Sequence, residues 1–243
     1  MICTRIGTIV KQQGGTIRAI KVTCRSWGCE SCSRDRAKKL IREAQEGAPE
    51  RFITLTVNPH WFNSPIERAQ KLVAAWRLIR RRFLKMRPNA VVEFMAVFER
   101  TKLGEPHLHI VQRGSFMPQK WLSSQLEELI GAKIVDIRYI RSKKTVAFYI
   151  FKYIGKEPFQ FGTLKRYWRS RRFLSMTAKE KKAIRNKGAR FYVLDCHWKS
   201  YLTWMTNKYR LEGLKVDRNG FQADWPAGVD PPWCLSVEAL YSK

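Results

Sequence analysis

The chain has 243 residues, and its 47 Lys and Arg outnumber its 20 Asp and Glu, so that the formal net charge is +27. Hydrophobic residues make up 44% of the chain, which is enough for a folded core and excludes wholesale disorder. No run of about 18 apolar residues occurs, so we expect no transmembrane helix. The charge predicts a polyanionic partner, and nine Trp and thirteen Phe suit stacking on unpaired bases.

The N-terminal region is turn-rich and carries three clustered cysteines, Cys24, Cys29 and Cys32, with the spacing C-x4-C-x2-C. No secretory signal precedes them, so we expect a reducing compartment, the cytoplasm of a bacterial host. In such a compartment clustered cysteines bind metal more often than they form disulfides. We favour a structural zinc site with Cys3 as the fourth ligand, and buried or free thiols are the alternative.

Strands and helices alternate along the middle of the chain. In chain order we predict a helix (34–46), a strand (52–57), a long helix (64–86), two strands (91–100 and 107–111), a helix (118–129), a strand (133–140) and a helix (145–156). From the first strand onward this order is the split β-α-β pattern of a ferredoxin-like antiparallel sheet with helices on one face.

We therefore predict an α+β fold in three parts. Residues 1–48 form a cysteine-rich segment that ends in a helix, residues 49–160 form the ferredoxin-like domain, and residues 161–243 form a helical, basic, aromatic-rich region.

Two histidines, His107 and His109, are two residues apart on a predicted strand and therefore point to the same face. A three-residue loop ending at Gly104 sets Glu99 of the preceding strand opposite His107, on that same face. Two imidazoles and one carboxylate can chelate a divalent cation. Glu105 is a competing third ligand, although its position in the turn is less favourable. A purely structural role of the histidines is the alternative.

The last predicted helix, TVAFYIFKYIGK, carries two tyrosines and two lysines along one stripe, opposite an apolar stripe. An ammonium group beside a phenol favours the phenolate and can stabilise charge that develops on a phosphate. We therefore predict that Tyr149, Lys152, Tyr153 and Lys156 are catalytic, and a solvated amphipathic surface is the alternative.

Three segments resemble, in order and spacing, the motifs of the HUH endonuclease superfamily. FITLTVNP (52–59) resembles the first motif, and EPHLHIV (105–111) matches the His-hydrophobe-His motif. YIFKYIGK (149–156) resembles the two-tyrosine motif of rolling-circle replication initiators from microvirus-type single-stranded DNA phages. The resemblance covers about residues 50–157, which is under half of the chain.

The resemblance implies a Mg²⁺ or Mn²⁺ ion held by His107, His109 and an acidic third ligand, for which Glu99 is our choice. It also implies that Tyr149 or Tyr153 attacks a phosphate of single-stranded origin DNA and forms a covalent 5′-phosphotyrosine with a free 3′-OH. The 3′-OH primes a host polymerase, and the second tyrosine later allows the old strand to be closed into a circle.

No phosphate-binding G-x-x-x-x-G-K-[ST] motif occurs, so unwinding depends on supercoiling or on a host helicase. We therefore predict a phage or plasmid protein that initiates rolling-circle replication by nicking and joining DNA. A transposase or relaxase of the same superfamily, or a non-catalytic basic zinc protein that binds nucleic acid, are the alternatives.

Between Lys165 and Arg190 the chain carries eleven Lys or Arg against one acidic residue, Glu180, and aromatic residues lie among them. This composition favours a clamp on the DNA backbone with stacking platforms, and a solvated charged face is the alternative. The residues predicted to bind DNA are Lys165, Arg166, Trp168, Arg169, Arg171 and Arg172.

Overall fold

The structure, a computed structural model, describes residues 7–142, 144–146, 149–150, 160–176, 178–232 and 235–236. It divides into two units. We call residues 34–177 the central unit, and residues 1–33 together with 178–243 the terminal unit. Each unit contains an antiparallel sheet and helical segments, so the predicted α+β class is confirmed. The division into three parts stays a prediction.

The central unit contains the predicted ferredoxin-like arrangement. Two strands of the terminal unit, β1 (Thr8–Gln13) and β2 (Thr16–Lys21), come first in the chain. The elements of the central unit are the last part of α1 (Glu30–Glu46), β3 (Arg51–Leu55), α2 (Pro65–Met86), β4 (Val92–Arg100), β5 (Pro106–Gly114), α3 (Gln119–Ile130), β6 (Val135–Tyr139) and β7 (Tyr167–Arg169). Residues 144–146 and 149–150 are also helical. The strand order is β6-β3-β5-β4-β7, so β7 extends the predicted four-stranded sheet at its β4 edge.

Helices α2 and α3 cover one face of this sheet. The side chain of Ser64 accepts a hydrogen bond from the Glu67 backbone N–H, and Pro65 follows at the first helical position, so the start of α2 is well defined. The apolar side of each helix packs on apolar side chains from every second position of the strands. The buried core residues include Leu72, Trp76 and Ile79 of α2, Leu122 and Leu126 of α3, and Ile53, Leu55, Phe94, Ala96, Phe98, Leu108 and Ile110 of the sheet.

The terminal unit contains a six-stranded sheet that combines both ends of the chain. Its elements are β1 (Thr8–Gln13), β2 (Thr16–Lys21), α4 (Ala178–Arg185), β8 (Arg190–Leu194), α5 (Trp198–Lys208), β9 (Lys215–Asp217), β10 (Gly220–Asp224) and β11 (Leu235–Ser236). The strand order is β11-β8-β1-β2-β10-β9, and every pair is antiparallel. The hairpin β1–β2 therefore lies between strands from the C-terminal part.

This sheet differs from the expectation for the N-terminal segment, where we predicted turns over residues that form β1 and β2. The turn at Gly14 and Gly15 has φ values of 55° and 75°, as a two-residue hairpin connection requires. Two polar residues, Thr8 and Gln12, lie on the buried face of β1 and obscure the apolar alternation. They are satisfied there because Thr8 Oγ1 donates to the Cys196 carbonyl at 2.8 Å and Gln12 Nε2 donates to the Val229 carbonyl at 2.6 Å.

Candidate functional site

The hairpin β4–β5 has the predicted register, with Glu99 opposite His107. The Thr101 N–H donates to the Glu105 carbonyl at 2.9 Å and closes a three-residue loop, in which Gly104 adopts a φ of 86°. Leu108 of β5 points into the core against α2 and α3. Because side chains alternate along a strand, the two histidines and Glu99 share the opposite face of the sheet.

Glu99, His107 and His109 form a compact group on this face. One ligand atom from each lies within 4.8 Å of the others, and His109 Nε2 is 2.6 Å from Glu99 Oε2. Glu99 and His109 are buried, whereas His107 is half-buried, so the group is reached from the His107 side. Thr54 Oγ1 lies 3.2 Å from His109 Nδ1 and orients the ring. Two imidazole nitrogens and one carboxylate oxygen fit a divalent transition-metal ion, with positions left for substrate oxygens.

The alternative ligand Glu105 is engaged elsewhere. Arg68 of α2 lies with its Nε at 2.7 Å from Glu105 Oε2, and it also donates to the carbonyls of Pro59 and Phe62 at 2.9 and 2.6 Å. Arg68 therefore ties the hairpin turn to the loop that follows β3. The ion pair with Arg68 holds the Glu105 carboxylate beside α2, so the carboxylate that lies next to the two histidines is that of Glu99.

Tyr149 is placed on the same face by a stack of rings. Phe52 of β3 stacks with His109 at a centroid distance of 5.4 Å and with Tyr149 at 4.5 Å, with interplanar angles of 15° and 19°. Arg138 of β6 hydrogen-bonds the Tyr149 oxygen and lies with its Nε at 2.7 Å from Asp136 Oδ2. The bond to Tyr149 and the Asp136 carboxylate together raise the pKa of Arg138. A cationic donor is therefore held at the phenol oxygen.

Sequence reasoning did not identify four of these residues, namely Phe52, Thr54, Asp136 and Arg138. These four residues form two cross-strand pairs between β3 and β6. Phe52 is paired with Arg138, and Thr54 is paired with Asp136. The alternation of β6, in which Val135 and Ile137 belong to the core side, was a usable signal for the last two. The predicted residues Lys152, Tyr153 and Lys156 lie outside the described residues.

The residues predicted to bind DNA fall into two sets. Lys165, Arg171 and Arg172 are exposed. Arg166, by contrast, is buried, and burial lowers its pKa to about 10. Trp168 packs against the core, with its ring 5.5 Å from that of Phe98.

Arg169 belongs with the second set, because it is half-buried and lies 3.9 Å from the Glu43 carboxylate. Arg166, Trp168 and Arg169 are therefore built into the sheet edge at β7, and the exposed residues are the ones that can reach a DNA backbone.

The cysteine cluster lies in the terminal unit. The sulfur atoms of Cys24, Cys29 and Cys32 all lie within 4.8 Å of one another, which is a second possible metal-binding group. The predicted fourth ligand, Cys3, lies outside the described residues.

Residues 50–158 match the model of a family described as replication-associated protein ORF2. The matched segment contains the whole Glu99–His107–His109 group and Tyr149, and it supports a role in replication and therefore in binding DNA. No curated protein and no solved structure matches the chain. In the part of the chain that the structure describes, no helix is long and apolar enough to cross a membrane.

Proposed function

We propose that this protein initiates rolling-circle replication by nicking and rejoining single-stranded DNA at an origin, through a covalent 5′-phosphotyrosine. The observation that carries the proposal is the ring stack on Phe52, because it keeps Tyr149 on the same sheet face as Glu99, His107 and His109. The family match over residues 50–158 supports the replication role independently of this geometry.

Glu99, His107 and His109 are the residues that would hold a divalent cation. A bound Mg²⁺ or Mn²⁺ ion would supply Lewis-acid chemistry, by drawing charge from the oxygens of a scissile phosphate. Thr54 holds the His109 ring through Nδ1, and Glu99 approaches the same ring through Nε2, so both imidazole nitrogens have fixed neighbours. Burial of Glu99 and His109 keeps this part of the site from bulk water.

Tyr149 is the nucleophile that the described residues offer. Its oxygen attacks phosphorus, a new O–P bond forms, and the bond from phosphorus to the 3′ oxygen of the preceding nucleotide breaks. The leaving oxygen takes up a proton and becomes the free 3′-OH, while the phenol proton passes to solvent. Arg138 donates to the phenol oxygen and offsets the negative charge that this oxygen carries as it attacks.

The covalent link conserves the phosphodiester energy, so that a 3′-OH can reverse the reaction and seal a strand. Tyr153 is proposed as the second nucleophile, and Lys152 and Lys156 as the cations beside the two phenols. These three roles come from the sequence. The free 3′-OH serves as the primer for a host polymerase, and a host helicase or supercoiling separates the strands.

The test uses the full chain, Mn²⁺ and single-stranded oligonucleotides from the replicon's own origin. We expect an adduct that survives a denaturing gel and retains a label at the 3′ end of the DNA, while a 5′-labelled fragment is released with a 3′-OH that a polymerase extends. Changing Tyr149→Phe and Tyr153→Phe together should abolish the adduct and leave DNA binding intact.

Tyr139→Phe is the matched control, because Tyr139 is an exposed tyrosine on β6, and this variant should form adduct normally. An adduct that persists in the double variant would overturn the assignment of the nucleophiles. A chain that binds the origin strand but forms no adduct with any metal would leave only a nucleic-acid-binding protein.

A further inference from the structure

We propose that Cys24, Cys29 and Cys32 bind a structural zinc ion that joins the end of β2 to the start of α1. The site lies in the terminal unit and shares no residue with the Glu99–His107–His109 group. It does not depend on DNA cleavage, so it can be tested separately from the proposed function.

The spacing of the sulfur atoms fits a tetrahedral ion. Sulfur ligands at about 2.3 Å from a tetrahedral zinc lie about 3.8 Å from one another. Here the Cys24 and Cys32 sulfurs are 3.5 Å apart, and all three sulfurs lie within 4.8 Å of each other. Cys29 and Cys32 are buried, so two of the three thiols are shielded from solvent.

The backbone around Cys24 is folded towards its sulfur. Arg25 adopts a φ of 53°, a conformation that few non-glycine residues accept, and it turns the chain directly after Cys24. The Ser26 N–H then points at the Cys24 sulfur at 3.5 Å, and the Gly28 N–H donates to Ser26 Oγ at 3.1 Å. The Ser26 N–H group orients the Cys24 sulfur and can donate a hydrogen bond to it when it holds a metal ion.

The other two sulfurs are placed by the first turn of α1. The Cys29 carbonyl accepts a hydrogen bond from the Ser33 N–H at 2.8 Å, so Cys29 stands at the helix start and Cys32 one turn later. Residues three apart share a helix face, which brings both thiols to the same side. The N-terminal end of a helix carries partial positive charge and favours anionic ligands there.

The sulfur ligands of the cysteine group and the charge around it favour zinc. Three thiolates on one divalent ion leave a net negative charge, and the Lys21 ammonium lies at 3.1 Å from Ser31 Oγ, next to Cys32 in the chain. Thiolates are soft ligands that select zinc over Mg²⁺ and Mn²⁺. The cysteine group is therefore suited to zinc and not to the Mg²⁺ or Mn²⁺ ion proposed for Glu99, His107 and His109.

The first measurement is the metal content of the full chain, purified under reducing conditions from zinc-supplemented cells and then desalted. We expect about one zinc ion per chain, held by the three thiolates. The double variant Cys29→Ser, Cys32→Ser should lose it. Cys196→Ser removes a half-buried cysteine outside the cluster and should keep it. His107→Ala should also keep it, which separates this zinc from metal bound at the histidines.

A second measurement covers the case in which the double variant does not fold. Co²⁺ added to metal-free protein should give the d–d bands of a tetrahedral ion and thiolate-to-cobalt charge-transfer bands, which histidine and carboxylate ligands do not produce. Cys24→Ser, at a half-buried position, should lower the charge-transfer intensity by about a third, because one of the three thiolates is lost.

Three outcomes would overturn the proposal. They are a desalted wild-type chain without zinc, a Co²⁺ spectrum without charge-transfer bands, or peptide mapping after reducing purification that finds Cys24 and Cys32 joined by a disulfide. A wild-type chain that retains zinc but forms no adduct with origin DNA would contradict the proposed function and leave the zinc proposal intact.

Discussion

The side chain of Arg138 links the proposed nucleophile, Tyr149, to a neighbouring carboxylate, that of Asp136. Its guanidinium contacts both the Tyr149 oxygen and the Asp136 carboxylate, although the side chain is exposed. The carboxylate therefore holds in place a donor that the nucleophile uses. We expect Arg138→Gln to slow adduct formation about tenfold, because a charge-assisted hydrogen bond to the attacking oxygen is lost. Single-turnover rates on the origin oligonucleotide measure this effect.

The control for this prediction is Arg141→Gln, which removes an exposed arginine three residues further along the chain. Both variants lower the net charge equally, so a general loss of DNA affinity would affect them alike. We expect Arg138→Lys to restore part of the rate. Equal rates for Arg138→Gln and the wild-type chain would show that Arg138 has no positioning role.

The two glutamates of the β4–β5 hairpin are expected to differ in role, Glu99 as a metal ligand and Glu105 as a partner of Arg68. Glu99→Gln should abolish Mn²⁺-dependent adduct formation, because it removes the only carboxylate of the described metal-binding group. Glu105→Gln should retain adduct formation but lower the free energy of unfolding by about 2 kcal/mol, because the partly buried ion pair with Arg68 is broken. Gel assays and denaturant unfolding of both variants separate the roles, and the reverse pattern would make Glu105 the ligand.

Part of the candidate site was predictable from the sequence. Glu99 opposite His107 was predictable because strand alternation and a loop ending in Gly104 determine the register of a hairpin. The contact of Arg138 with Tyr149 was not predictable, because it joins β6 to a helical residue in the connection between β6 and β7. Local periodicity gives the face on which a residue lies, but not which distant side chain comes to that face.

The C-terminal end of α1 is held by a contact that only glycine allows. A Cβ built on Gly47 would lie 2.1 Å from Cζ of Phe173, which is fully buried. We expect Gly47→Ala to lower the free energy of unfolding by about 2 kcal/mol, because the aromatic ring must shift inside a packed core. Chemical denaturation measures the change.

A double-mutant cycle tests whether the ring is the cause. Phe173→Leu alone should cost about 1 kcal/mol through lost packing. In the Gly47→Ala background it should cost less, because the smaller side chain leaves room for the added methyl group. Strictly additive costs would place the effect of Gly47→Ala elsewhere in the chain.

Elements were predicted best in the central unit, where strands and helices alternate and each carries a local period of its own. The βαββαβ order of the central unit follows from local periods and short connections, and the observed strand order agrees with it. Strands β8 to β11 were not predicted. Of these, β9 and β11 have only 3 and 2 residues and β9 is exposed along its whole length, so these two lack the alternation that identifies a half-buried strand.

Across the whole molecule, the net charge of +27 predicts how DNA binding depends on salt. Each phosphate contact on a single strand contributes about −0.7 to the slope of log K against log salt concentration. Removing three exposed charges with Lys165→Gln, Arg171→Gln and Arg172→Gln should therefore make the slope shallower by about 2. Fluorescence anisotropy over a range of salt concentrations measures it.

A charge-matched control separates contact from net charge. Arg77→Gln, Arg81→Gln and Lys85→Gln remove three exposed charges from α2, which packs on the sheet face opposite the histidines. This variant should change the slope by less than about 0.7, which is the contribution of a single phosphate contact. Equal slopes for the two triple variants would show that the exposed residues on either side of β7 make no specific contact with the DNA backbone.

The pairing of β1 and β2 with β8 and β10 has a consequence for how the protein is made on the ribosome. The hairpin ends at Lys21, yet its two neighbouring strands begin only at Arg190 and Gly220, after the whole central unit has been synthesised. During that interval its two edges have no native partner strands, and exposed strand edges are the places where chains associate wrongly. Nascent chains stalled before β8 should therefore recruit chaperones more than finished chains do.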